Sequence, residues 1–236
     1  MSDEEYNPFP DIPSAVSFYT RKINASFPML RQKQTGFHEV DVKRFEARQC
    51  VVFELGISAI VMSCVALEEC LKTLLKYHYF FQNVETRPEV TLKQWEETGL
   101  QADDAYGAFS LHNAIQKARK ENLITEAEEK VLLEIKDFVR NAFVHSDKSK
   151  IFDPQSKIEA RLVKLEQGEM KVKGDRMMSL VALNVAQGLA EKELANTECR
   201  GIHEQIDAAI LTICERFWQS HSTSHSTSED GNATAG

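Results

Sequence analysis

The chain has 236 residues, 42% hydrophobic and 27% charged, which is enough apolar material for one packed domain. Its formal net charge of −8 excludes a uniformly basic nucleic-acid binder, so any such activity needs a local cationic patch. The five cysteines, Cys50, Cys64, Cys70, Cys199 and Cys214, include no C-x-x-C pair; they offer no zinc signature and read as reduced thiols of a cytoplasmic protein.

The opening "MSDEEYNPFP" is acidic and polar and does not read as a secretory leader. A first helix is expected from about 13 to 33, with Pro13 in the first turn, where a missing N–H costs nothing. "CVVFELGISAIVMSCVAL", residues 50–67, approaches the length of a membrane span. Glu54 interrupts it, however, and it runs on into the amphipathic "EECLKTLLKYHYFF". The reading is one long helix from about 42 to 82, buried at its middle, with Glu68 exposed and no membrane partner. Tyr77, His78 and Tyr79 read as residues that close the core. Residues 82–107 mix polarity with turn formers and read as a connection with a short helix.

Ser110 is a candidate N-cap for a helix carrying Leu111, Ile115 and Ala118. Thr125, with Glu128 three positions on, has the spacing of a capping box and opens a helix over 125–146. After Pro154, alternation of apolar and polar residues around "EQGE" predicts a small β-hairpin over 157–174. A last helix is expected from about 177 to 218. Residues 219–236, "SHSTSHSTSEDGNATAG" with the Gln before it, lack core formers and read as a disordered tail on a single domain of residues 1–218.

The helix over 125–146 carries the chemistry. At about 100° per residue, Val131, Leu132, Phe138, Val139, Ala142 and Phe143 lie within about 80° of Ile135 and form a core stripe. Arg140 and Asn141 fall near 140° and 240°, on the far side together with Leu133 and Val144, and His145 falls near 280°, at the border of the stripe. Two aliphatics among these polar residues suit a second contact surface, a dimer interface or a cleft wall. An arginine followed by a histidine after four to six residues also occurs at Arg31–His38 and Arg216–His221. Only Arg140–His145 has an adjacent asparagine and sits on a helix with an apolar second face.

"RNAFVH", after "TEAEEKVLLEIKDFV", resembles the signature of HEPN-domain proteins, and "CVALEECLKTLLKYH" is similar to the first long core helix of that fold. The resemblance spans roughly residues 45–150 and the last helix. It implies an all-α fold, an antiparallel HEPN-like helical bundle, into which the small β-hairpin read from the alternation is inserted before the last helix. It further implies a metal-independent endoribonuclease of toxin or defence type, with RNA as substrate, no cofactor, and an antitoxin protein as a possible partner. Arg140, Asn141 and His145 would be its functional residues.

The chemistry suits those residue types. RNA carries its own nucleophile, the 2′-hydroxyl, so cleavage needs a base to take that proton and donors for a crowded, more negative phosphate. Histidine titrates near neutrality, and arginine offers a permanently charged planar fork. One histidine is a thin set, and a twofold homodimer joined through Leu133 and Val144 would supply two. Residues 140–176 hold nine Lys or Arg against six Asp or Glu, a local +3, within which Lys148 and Lys150 are candidates for RNA phosphates. The alternative is a non-catalytic HEPN-fold interaction module that binds a protein or nucleotide through the same face.

Overall fold

A computed structural model describes residues 12–84, 91–144, 157–166, 169–179 and 184–226. The chain is predominantly helical: α1 (Ile12–Leu30), α2 (His38–Val52), α3 (Gly56–Val84), α4 (Leu92–Tyr106), α5 (Leu111–Lys120), α6 (Glu126–Glu134), a π-helical turn (Ile135–Arg140), α7 (Asn141–Val144) and α8 (Asn184–Ser226). Between α7 and α8, β1 (Lys157–Glu166) pairs antiparallel with β2 (Glu169–Ser179). Their register runs from Lys157 opposite Ser179 to Glu166 opposite Glu169.

α3 is the centre of the helical assembly, packed against α2, α4, α5, α8 and the π-helical turn. Its Leu67, Cys70, Leu71, Leu74 and Leu75 meet Leu111 and Ile115 of α5, Leu132 of α6, and Ile206, Ile210 and Phe217 of α8. All are buried, so the burial of large apolar side chains drives the assembly. A second cluster, Val51, Ala59, Ile60, Phe143, Ala195 and Cys199, ties the end of the motif helix to α2, α3 and α8. Cys64, Cys70, Cys199 and Cys214 are buried free thiols and Cys50 is half-exposed. No helix among the described residues is long and apolar enough to cross a membrane.

The expected single helix over 42–82 is two helices. α2 ends at Val52, and the chain turns through Glu54 in the left-handed region, φ 58°. Leu55 N donates to Cys50 O at 2.9 Å and Glu54 N to Val51 O at 3.1 Å, the paired bonds of a Schellman cap. Gly56 then lets α3 press against α8: a Cβ there would lie 2.6 Å from Ala195 C and Asn196 N. Glu54 remains on the surface and pairs with Lys22 of α1 at 2.6 Å.

The stretch expected to be mostly connection contains α4, fifteen residues long. Thr91 caps it, and Gln94 closes the reciprocal bond of a capping box. Thr125 and Glu128 form another capping box, at the spacing read from the sequence. The last helix starts later and ends later than expected, because residues 177–179 belong to β2 and α8 runs to Ser226. Residues 219–226 are therefore helical, and the His221 ring packs on Phe217 at 4.3 Å and Phe81 at 5.0 Å. The rest of the expected tail, 227–236, lies outside the described residues.

Candidate functional site

The motif helix is not a regular α-helix. Its α-helical part stops at Glu134, and Ile135–Arg140 form a π-helical turn, which adds one residue to the turn and shifts the phase of the residues after it. Ile135 faces the main core, Phe143 enters the second cluster, and Val139 touches both. Serving two clusters from one helix is a physical reason for the wide turn.

The phase before the turn also differs from the expected wheel. Val131, expected in the core stripe, is 50% exposed, whereas Leu133, expected on the far face, is half-buried and packs against the edge of the main core. The stripe is centred nearer Leu132 than Ile135. Leu133 therefore belongs partly to the fold and is not a free apolar patch. Val144 closes α7, and its side chain lies outside the described residues.

Arg140 likewise does not point away from the fold. Its Nη2 donates to Glu68 Oε2 of α3 at 3.0 Å, and Lys72 Nζ meets the other oxygen of Glu68 at 2.9 Å. The Arg140, Glu68 and Lys72 side chains are 24%, 20% and 16% exposed, so Glu68 is a half-buried anchor and not the exposed residue expected. These three, with Glu69, Val61, Cys64 and Val65, line a groove of about 250 Å³ between α3 and the π-helical turn. Burial pushes the Cys64 thiol up to about 12, against the opposing pull of Arg140, so it is no thiolate nucleophile. Asn141 Nδ2 donates to Asp137 Oδ1 at 3.3 Å, one turn back, and Lys136 pairs with Asp137 at 2.9 Å.

The structure therefore joins Arg140 to Glu68 and Lys72, and places Asn141 next in the chain with its amide held by Asp137. His145, Lys148 and Lys150 lie outside the described residues. The competing histidines are elsewhere. His38 begins α2 as an exposed residue, and the His221 ring lies tilted against Phe217.

A second polar cluster was not anticipated. Arg44, fully buried, donates from Nε to Asp207 Oδ1 at 2.7 Å and from Nη1 to Asp41 Oδ1 and to Lys33 O, each at 2.7 Å. Arg48 donates to Asp207 Oδ2 at 2.5 Å and to Arg31 O at 2.9 Å. Beside them, His203 contacts Ser63 Oγ at 2.9 Å through Nδ1. Ser63 gives its own proton to Ala59 O at 2.7 Å, so His203 is the donor, with its proton on Nδ1. The cluster clamps the segment between α1 and α2 onto α8, which is a structural role. The i, i+4 spacing of Arg44 and Arg48 is its only trace in the sequence.

Among the described residues no group of three or more His, Cys, Asp or Glu is arranged to hold a metal ion. No protein-family model, characterised protein or solved structure matches this chain.

Proposed function

We propose that the chain is a metal-independent endoribonuclease of the HEPN type that works as a homodimer on RNA. The observation that carries this reading is the Arg140 guanidinium, held by Glu68 on a π-helical turn at the mouth of a groove, five residues before His145. π-Helical turns occur frequently at functional sites, and a guanidinium is a permanently charged planar fork whose geometry matches a phosphate.

The reaction needs only groups of this kind. The 2′-hydroxyl attacks the adjacent phosphorus and the bond to the 5′-oxygen breaks, leaving a 2′,3′-cyclic phosphate and a 5′-hydroxyl. His145 takes the proton of the 2′-hydroxyl, and Arg140 meets the charge that builds on the phosphoryl oxygens. A second proton must reach the departing 5′-oxygen, and a histidine from a second copy supplies it. The exposed Ile57 and Val65 of α3, with Val61 between them, offer that copy an apolar strip beside the groove, in place of the Leu133 patch. Inside a cell such an activity calls for restraint, and an antitoxin protein over the Arg140 groove is the partner class this reading implies.

A second reading, a non-catalytic interaction module on the same face, is favoured by one observation: Glu68 already offsets the Arg140 charge in a chain of net −8. Purified protein incubated with RNA in EDTA separates the two. Cleavage to 2′,3′-cyclic phosphate ends, abolished by hydrogen in place of the scissile 2′-hydroxyl, is the expected result. Ile57→Glu, outside the groove lining, should give a monomer by light scattering and lose the cleavage. Failure of the wild-type protein to cut any RNA moves the assignment to the interaction module, and a wild-type monomer at micromolar concentration removes the two-copy site.

A further inference from the structure

We propose that the aromatic cleft between α3 and α4 is a base-stacking subsite for single-stranded RNA, seating an unpaired base of a strand whose backbone reaches the Arg140 groove. The proposal rests on the ribonuclease reading and extends it to how the substrate is held. Tyr77 and Phe80 of α3 and Trp95 of α4 line a cleft of about 260 Å³, with Gly99 and Ala102 beside them. Phe80 meets Trp95 edge-to-face at 4.6 Å, which fixes one wall. Folding leaves Trp95 53% and Tyr77 38% exposed. Nothing lies within 4 Å of where a Cβ on Gly99 would sit, so the entrance is open.

Position along α3 decides what the cleft suits. Lys76 lines it, and Lys72, one turn earlier, lines the Arg140 groove. Glu68, Lys72, Lys76 and Phe80 succeed one another at i, i+4 spacing and form a ridge from one site to the other. At 1.5 Å per residue, Glu68 and Phe80 are about 18 Å apart along the axis. A stacked strand rises about 3.4 Å per nucleotide, so about five nucleotides span that distance, and fewer if extended.

The charges along the ridge nearly cancel, since Lys72 pairs with Glu68 and Lys76 with Asp103. Asp103 is 66% exposed, and a surface pair of this kind is weak enough to exchange for a phosphate. Stacking on the aromatic faces, which accept any base, therefore supplies most of the binding, with the lysines guiding the backbone. A purely apolar peptide side chain would use the rings but leave the lysine ridge without a role.

A fluorescent pentanucleotide of 2′-O-methyl RNA, which lacks the nucleophile, serves as the probe, and its binding is read by anisotropy. Trp95→Ala should weaken binding about 5- to 100-fold, the range for losing one stacked base, while Trp95→Phe retains most of it. An abasic site at one position of the probe should reproduce the loss, with no further loss on Trp95→Ala. Trp95 is half-exposed but packs on Phe80, so Trp95→Ala should lower the melting temperature by a few degrees while staying folded at the assay temperature, and Trp95→Phe keeps the packing.

Binding equal in wild type and Trp95→Ala overturns the subsite and leaves the ribonuclease reading standing. So does RNA cleavage by the wild type with no detectable probe binding. A change in Trp95 emission on raising the protein concentration without RNA would assign the cleft to a second copy and overturn the subsite. Neither binding nor cleavage overturns both.

Discussion

Asp207→Asn should cost about 3–5 kcal/mol of folding stability, the usual penalty for removing one partner of a buried ion pair. One carboxylate receives both Arg44 and Arg48, and Arg44 is fully buried. Asparagine keeps the shape but leaves Arg44, among the described residues, with Asp41 as its charged partner at 2.7 Å, and strips Arg48 of a 2.5 Å contact. The same guanidinium groups hold Lys33 O and Arg31 O, so the segment joining α1 to α2 loosens with them. Chemical denaturation should show the loss as a shifted midpoint at unchanged slope. A loss below about 1 kcal/mol would mean that water or Asp41 replaces Asp207 without penalty, and that the cluster does not clamp the segment to α8.

The same cluster contributes to the response to acid. Burial pushes the His203 imidazole below its ordinary value, and Arg48 and Arg44 add to the shift against the opposing pull of Asp207 and Glu204. Burial would push the Asp207 carboxyl up, but its hydrogen bond to Arg44 and the two guanidinium charges outweigh that and hold it below its ordinary range. In both cases the unfolded chain takes up protons that the folded chain refuses. The cluster's contribution to stability is therefore complete above about pH 6.5, begins to fall below it as the unfolded His203 protonates, as does that of His78, which burial also holds below its ordinary value, and falls again near pH 4 on account of Asp207. His203→Asn, which can keep the bond to Ser63, should shrink the first step and leave the second.

The helices legible in the sequence are those whose signals are local. The box at Thr125 and Glu128 and the cap at Ser110 are written within four residues and fold as they read. The box at Thr91 and Gln94 is equally local, but the mixed polarity around it hides α4. The corner at Glu54 is hidden for a different reason. Its left-handed residue is a glutamate, where a glycine would mark the stop, and the close approach of α8 that makes Gly56 necessary involves residues 139 positions away. The π-helical turn is the same kind of miss, because two apolar clusters draw on one helix and no spacing in "IKDFVRNAFV" announces it. For the candidate site, the sequence singles out Arg140 and Asn141, while the Glu68 that holds Arg140 is 72 residues away and reads as exposed.

Arg140→Ala and His145→Ala should each lower RNA cleavage by a factor of about 10² to 10⁴ while leaving the fold intact by circular dichroism, the range for removing one positioned acid–base or charge-stabilising group. The two losses should differ in pH dependence. His145→Ala removes a titrating group, so the profile near neutrality flattens. Arg140→Ala lowers the whole profile without moving it, because a guanidinium stays charged throughout. Arg140→Lys should recover little, since an ammonium cannot reach Glu68 and a phosphate with a planar fork at once. Glu68→Gln keeps a hydrogen bond to Arg140 but removes the charge that orients it, so a smaller loss is expected, as for Asn141→Ala. His38, exposed at the start of α2, should be replaceable with no effect on cleavage. Equal rates for His145→Ala and wild type, on an RNA that the wild type cuts, would take the base away from His145. A full loss in Arg140→Ala alone would then leave Arg140 as a binding group for RNA, and the proton acceptor would have to be sought among the residues lining the Arg140 groove.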